Sequence, residues 1–263
     1  MIERVIAAAE AAGRVIEEVQ RRGFSVEQKG DQGPVTEADR GADALLKDQL
    51  LSIEPCAWLS EETADDPVRL EASRLWVVDP LDGTKEFVQG IPEYTVAIGL
   101  VEDGAAVLGV VHNPATGDTV WAERDRGAWR GADRLGVREG WGLLASRSEI
   151  RRGEFASFMD EWEITHLGSI EYKLARIAEG AAAVTLSRGP KWEWDVCAGA
   201  LIVEEAGGVA TDVFGNPLQY NQPFPKVRGV MAGAREAWER ALAEVGRMGA
   251  SERMNEFADL DRA

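Results

Sequence analysis

An α/β fold built from two unlike parts is what this sequence predicts, and three observations predict it. "YTVAIGLVEDGAAVLGVVHNP" holds two β-rich runs around Asp103-Gly104, the strongest short-range hairpin signal there is. "DTVWAE" and "GAWRG" extend that pair as an antiparallel meander. From about Trp141 the pattern changes to alternating strands and helices, the rhythm of an α/β arrangement. The expected division is 1–140, α+β with an antiparallel sheet, and 141–263, α/β, joined without a linker into one structural unit.

The elements follow in order. "MIERVIAAAEAAGRVIEEVQRRG" sets charges among small apolar residues at helical period. It has neither the apolar run of a signal peptide nor the roughly 20 apolar residues of a span. A surface helix of a cytoplasmic protein, with no membrane segment, is expected. "EQKGDQGPVTEAD" reads as a polar loop before a helix whose apolar period runs through Ala42, Leu45, Leu46 and Leu50. Thr36 is placed to cap that helix, with Asp39 as the fourth member of a capping box. "CAWLSEE" reads as a short strand ending in acids, and Arg74-Leu75-Trp76-Val77-Val78 as a core strand. In the second half "GLLAS", "ITHLG", "AAVTLS", "GGVATD" and "RGVMAG" read as strands. Helices are expected from about Glu149, over Tyr172 to Glu179, and from Trp194 to Ala206. "GASERMNEFADLDRA" at the C-terminus is left between helix and tail.

Composition narrows the function. Of 263 residues 45% are hydrophobic, enough for a core. Cys56 and Cys197, the only cysteines, are too few for a disulfide framework or a zinc-thiolate site, which fits a reducing compartment. A formal charge of −17 argues against a nucleic-acid polymer as partner, since that requires a basic footprint.

The informative stretch is "VVDPLDGTKEF", Val77 to Phe87. Pro80 fixes φ and Gly83 permits a tight bend, so Asp79 and Asp82 are held close together where a strand ends. Like charges at short range repel unless a cation lies between them or one is protonated. Each acid also has a plainer explanation. Asp79 and Asp82 can cap their own turn, Glu61-Glu62 can be a solvated pair, and Asp195 can cap a helix. Together, acids at two strand ends and a helix start point to a shared role. Oxygen ligands, with only His112 and His166 as imidazoles, suit a hard ion such as Mg²⁺. No Ser-His or Cys-His arrangement offers a covalent nucleophile.

"GPVTEAD", "LSEE", "DPLDGTKEF" and "WEWDVCAGALIVEEAGG", in that order, resemble the motif set of the inositol monophosphatase superfamily of Mg²⁺-dependent, lithium-sensitive phosphatases. Lys85-Glu86-Phe87 resembles the 3'(2'),5'-bisphosphate nucleotidase branch within it. The resemblance implies a layered αβαβα sandwich of the sugar-phosphatase type. It implies that Glu61, Asp79 and the Leu81 carbonyl hold one Mg²⁺ and that Asp79, Asp82 and Asp195 hold a second. A third, weaker ion would touch Glu61. Thr84 would orient the attacking water with Asp39 behind it, and Gly83 and Thr84 would cradle the phosphate through backbone N–H groups.

The partner implied is a small phosphorylated molecule, and a homodimer stays open. Inositol phosphatases carry an acid seven positions before the last ligating aspartate, where this chain has Arg188. Lys173 stands where the nucleotidase branch tends to carry lysine. Two cations would suit a second phosphate, although both can equally project from the surface. Lys191, Trp192 and Trp194 lie close to Asp195 in sequence. The favoured substrate is therefore 3'-phosphoadenosine 5'-phosphate, with an inositol or sugar phosphate, fructose 1,6-bisphosphate included, as the alternative. A catalytically silent scaffold is opposed by the joint presence of Glu61, Asp79, Asp82, Thr84 and Asp195.

Overall fold

A computed structural model describes residues 1–28 and 34–247. Helix α1 (Ile2–Arg22) leads into a two-strand ladder of β1 (Glu27–Gln28) with β2 (Pro34–Val35), and then into α2 (Glu37–Ile53). Thr36 caps α2 as expected: its Oγ1 accepts from the Ala38 N–H at 3.1 Å, while Asp39 Oδ2 accepts from the Thr36 N–H at 2.7 Å.

The larger sheet has seven strands, hydrogen-bonded in chain order: β3 (Ala57–Ser60), β4 (Arg74–Asp82), β5 (Thr95–Glu102), β6 (Ala105–Asn113), β7 (Asp118–Glu123), β8 (Ala128–Arg130) and β9 (Asp133–Arg134). All neighbours are antiparallel except β3 with β4. The hairpin between β5 and β6 turns at Asp103 (φ 47°) and Gly104 (φ 81°), both left-handed as a two-residue turn of this kind demands. A short helix α3 (Thr84–Gln89), which periodicity does not foresee, sits between β4 and β5.

The smaller sheet has five strands in the order β11-β10-β12-β16-β14. Its members are β10 (Gly142–Ala145), β11 (Glu163–His166), β12 (Val184–Ser187), β14 (Val209–Thr211) and β16 (Val230–Gly233). β10 runs parallel to β11 and β12, as strand-helix alternation predicts, whereas β16 is antiparallel to both its neighbours. A separate ladder pairs β13 (Lys191–Trp192) with β15 (Lys226–Val227). The helices here are α4 (Arg147–Arg151), α5 (Ile170–Ala178), α6 (Cys197–Glu205) and α7 (Arg235–Arg247).

Burial shows how the layers stack. Successive side chains of a strand face opposite ways. Trp76 and Val78 of β4 pack with α1 and α2, while Leu75 and Val77 pack on the other face with α5 and α6. Val230 and Ala232 of β16 face that same helical layer, and Met231 faces α7. The order is helices, sheet, helices, sheet, helix: the αβαβα sandwich expected. Because helices cover both faces of β4, its run is apolar without alternation. Gly99 and Gly109 let α6 lie close on the large sheet; a Cβ at Gly109 would stand 2.6 Å from the Ala198 carbonyl oxygen.

Several boundaries shift. β4 continues to Asp82 instead of ending before Asp79. α4 stops at Arg151, because Gly153 (φ 79°) turns the chain just beyond it. α5 begins at Ile170, capped by Ser169. The helix expected from Trp194 starts at Cys197, after a 3-10 turn over Glu193–Asp195. The C-terminal stretch 249–263 lies outside the described residues. Among the described residues no helix is long and apolar enough to cross a membrane.

Candidate active site

Strand β4 delivers two of the acids through an irregularity. Its register with β5 slips between Asp79 and Asp82, where Pro80 has no N–H to give the ladder. Asp79 is buried, and its Oδ1 accepts from the Leu81 N–H at 2.9 Å. Asp82 Oδ2 accepts from Ser169 Oγ at 2.5 Å and from the Glu171 N–H at 2.7 Å, so it joins β4 to the first turn of α5. Gly83 follows at φ 93°, and a Cβ there would stand 2.8 Å from the Glu93 carbonyl oxygen. Both conformation and space demand glycine at this position.

Glu61 follows β3, whose parallel pairing brings it beside β4; its N–H donates to the Val78 carbonyl at 3.4 Å. Ser60 and Thr63 on either side donate to Asp43 at 2.5 and 2.8 Å. Asp195 closes the 3-10 turn, and its Oδ2 accepts from the Trp192 N–H at 2.8 Å. The capping role expected of Asp195 is thus exercised on its own turn.

One cavity of about 340 Å³ gathers these residues. Glu61, Asp79, Leu81, Asp82 and Asp195 line it, together with Gly83, Thr84 and Lys173. Asp39 lies one step behind: Thr84 Oγ1 donates to its Oδ1 at 3.0 Å and lies 3.1 Å from the Leu81 carbonyl oxygen. Arg188 is not among the lining residues, and its Nη1 donates to the Glu154 carbonyl at 3.1 Å. Lys191, noted from sequence, does line the cavity, as do Arg152, Glu149, Ser146, Ser148 and Ser187, which sequence reasoning missed. The missed signal was local. Ser146-x-x-Glu149 is a capping box, which the structure forms at α4.

Lys173 is buried, with its Nζ 3.7 Å from Glu149. Glu149 also accepts from the hydroxyls of Ser146 and Ser187. Burial alone would raise the Glu149 carboxyl, but Lys173, Lys191 and the two hydroxyls outweigh it and hold the group down to about 2. Burial lowers the Lys173 ammonium, against the opposing pull of Glu149.

The acids by β4 behave in the opposite sense. Burial, followed by the charges of Glu61, Asp82 and Asp195, holds the Asp79 carboxyl well above the usual range. Burial also pushes Asp195 up to about 7, with Lys191 pulling down and Asp82 pushing up. Among the described residues no three His, Cys, Asp or Glu side chains form a closed metal-ligating group. Asp82 and Asp195 each turn an oxygen to protein donors instead. The donor set still fits a hard divalent cation. It is all oxygen and converges on one cavity, where burial and, at Asp79 and Asp195, neighbouring carboxylates oppose ionisation in a way that positive charge would relieve.

The family model for inositol monophosphatases matches residues 1–249. The chain belongs to the inositol monophosphatase family. It is 34% identical over 236 residues to the 3'(2'),5'-bisphosphate nucleotidase CysQ of Escherichia coli K12, covering 84% of this chain and 94% of that one. It is 31% identical over 258 residues to an inositol-1-monophosphatase of Rhizobium meliloti, covering 93% and 94%. Among solved structures, the extragenic suppressor protein suhB from Bartonella henselae superposes with a TM-score of 0.83 at 28% identity, over 94% of this chain and 98% of that one. The family and these relatives support phosphatase activity, and the cavity at Asp79 is where its acids converge.

Proposed function

We propose that this chain hydrolyses a small phosphomonoester at the Asp79 cavity, using Mg²⁺ held by Glu61, Asp79, the Leu81 carbonyl, Asp82 and Asp195. The substrate is a bisphosphate nucleotide of the 3'-phosphoadenosine 5'-phosphate class, cleaved to AMP and phosphate in the cytoplasm. The observation that carries this reading is that the cavity gathering the four proposed acidic ligands is also lined by Arg152, Lys173 and Lys191. Metal bound to the acids leaves Arg152 and Lys191 to receive a second phosphate, Lys173 being paired with Glu149.

When bound, the metal supplies Lewis acidity: it lowers the pKa of water, polarises the phosphoryl group and offsets charge on the leaving oxygen. The chain's own residues do the rest. Thr84 gives its hydroxyl proton to Asp39, so the lone pairs of Oγ1 are available to orient an attacking water. The N–H groups of Gly83 and Thr84, at the start of α3, have no intrahelical acceptor and can hold phosphoryl oxygens. Positioning and fixed charge account for most of the rate in phosphoryl transfer. Lys173, already tied to Glu149, provides fixed positive charge near Asp82. Lys191 and Arg152 grip the phosphate that is not cleaved, Arg152 as a planar fork.

A second reading has its own support. Ser146, Ser148 and Ser187 line the same cavity with Glu149, and hydroxyls with a carboxylate also suit the hydroxyls of an inositol or sugar phosphate. Phosphate release with Mg²⁺ on the bisphosphate nucleotide, inositol 1-phosphate and fructose 1,6-bisphosphate separates the two. The highest kcat/KM is expected for the nucleotide. A preference for inositol 1-phosphate would overturn the nucleotide reading, and no activity without or with Mg²⁺ would overturn the site.

A further inference from the structure

The two acids at the edges of the metal set come from distant parts of the chain. Glu61 follows β3, and Asp195 follows β13. Between them runs a polar connection whose members, Glu193 apart, lie outside the motifs. Arg69, 3% exposed, lies in a 3-10 turn (Pro67–Glu71) shortly after Glu61. Its guanidinium donates to both carboxylate oxygens of Asp65, at 2.6 and 3.0 Å. It also donates to Asn221 Oδ1 at 2.8 Å and to the Gln222 carbonyl at 2.9 Å. Asn221 answers by donating its amide to the Arg69 carbonyl at 3.0 Å. The N–H groups of Asn221 and Gln222 then donate to Glu193, at 2.8 and 2.9 Å, two residues before Asp195.

We infer that Arg69 is a positioning residue for the metal site: through Asn221 and Gln222 it fixes the Glu61 segment against the Glu193–Asp195 turn. Resting on the proposed function, this assigns to a residue outside the cavity the task of setting how far apart two ligands stand. Three features make Arg69 suited to it. Its planar fork engages three partners in fixed directions, which a lysine ammonium does not. Its guanidinium is buried, so water reaches these bonds only from the side of the partners. Asn221 holds φ at 61°, a left-handed conformation that asparagine accepts more readily than most residues, so its amide reaches Arg69 while its N–H reaches Glu193. The Asn221 connection spans 152 positions of sequence, so nothing local could replace it.

The test uses the full chain and reads metal binding directly. Mg²⁺ affinity is measured by calorimetry at 25 °C on wild type, Arg69→Lys and Asn221→Gly; the glycine keeps the left-handed backbone while deleting the amide. Thermal stability in EDTA, and KM and kcat at saturating Mg²⁺, are measured alongside. Each variant is expected to bind Mg²⁺ about 10-fold more weakly, the size of effect seen when groups that orient metal ligands are removed. Substrate KM should stay near wild type and kcat should recover at high Mg²⁺. The double variant should lose little more than either single one, since both act through one connection. If both variants melt lower yet bind Mg²⁺ as wild type does, Arg69 is merely structural and the inference is overturned. If wild type itself binds no Mg²⁺, the metal reading fails and takes the inference with it.

Discussion

Thr84 Oγ1 lies 3.0 Å from Asp39 Oδ1, so a hydroxyl at the start of α3 is tied to a carboxylate that also closes the cap of α2. The second oxygen of Asp39 is taken by Thr36, through both its N–H and its hydroxyl at 2.7 Å. Asp39 therefore cannot swing away without opening the helix cap. Burial raises its carboxyl, and the hydrogen bonds from Thr36 and Thr84 oppose that rise.

This geometry separates two roles for one hydroxyl. Thr84→Ala should lower kcat by about 10²-fold or more, the lower range for a lost proton-handling group, with little change in KM. Thr84→Ser should retain most of the activity. Asp39→Asn should resemble Thr84→Ala, and the double variant should be no worse than either. Steady-state kinetics at saturating Mg²⁺ check this, and an active Thr84→Ala enzyme would remove the hydroxyl from the mechanism.

Crowding of the acids has a consequence for stability. In metal-free protein Asp79 stands among Glu61, Asp82 and Asp195, whose charges oppose its own ionisation. Asp79→Asn keeps the acceptor for the Leu81 N–H and relieves the repulsion. Its Tm in EDTA should exceed wild type by about 2–4 °C for each ~1 kcal/mol of repulsion relieved. The Tm rise that Mg²⁺ brings through preferential binding to the folded state should disappear. Asp82→Asn and Asp195→Asn should likewise abolish Mg²⁺-dependent activity with the fold kept, as circular dichroism and scanning calorimetry would report. Full activity in either one would remove it from the metal set.

The layers were legible because each has a local signature. The Asp103-Gly104 turn and the apolar run before Asp79 need only neighbours in sequence to be read. Glu61, Asp79, Asp82 and Asp195 were legible for the same reason, since each stands at a turn or at the edge of an apolar run, whereas Glu149 was not. What sequence did not show is contact over distance. Arg188 was singled out by its spacing from Asp195, yet spacing along the chain does not say where a guanidinium points, and this one reaches the Glu154 carbonyl. Lys173 looked like a free cation because Glu149, its partner, sits on another helix. The short helix after Gly83 escaped because six residues carry too little period to be seen.

Glu149 gives a pH signature. Its carboxyl is near 2 in the folded chain against an ordinary 4.5. A depressed acid stabilises the fold above its unfolded value, and that stability is lost as pH falls from about 4.5 toward 2. At ~1.4 kcal/mol per pH unit of separation this is at most about 3–4 kcal/mol. The pair's net worth is smaller, because burial of Lys173 works against it. Glu149→Gln should therefore be less stable than wild type at pH 7, where it leaves a buried ammonium without its counter-charge. Its stability should also fall less steeply between pH 5 and pH 3. Urea unfolding across that range measures both, and parallel pH slopes for the two proteins would refute the assignment.

Substrate choice turns on which cation meets the second phosphate. Lys191 and Arg152 line the cavity; Lys173 lines it too but is occupied by Glu149; Arg188 donates elsewhere. A hydrogen bond to a charged group contributes ~1.5–3 kcal/mol, and ~1.4 kcal/mol is tenfold in an equilibrium constant. Lys191→Ala should accordingly raise KM for the bisphosphate nucleotide by about tenfold or more. Arg152→Ala should follow with a smaller rise, because Glu154 already pairs with its guanidinium, at 2.5 Å. Neither variant should change KM for a monophosphate that lacks the second group, and kcat should stay closer to wild type because the acids are untouched. Arg188→Ala should have the smallest effect of the three, since its visible bond is to a backbone carbonyl outside the cavity lining. Measuring kcat/KM for all three variants on both substrate types ranks them. Equal losses on mono- and bisphosphate would show that these cations serve the phosphate being cleaved. A dominant effect of Arg188→Ala on the bisphosphate alone would instead move the second-phosphate contact to the end of β12, next to Ser187.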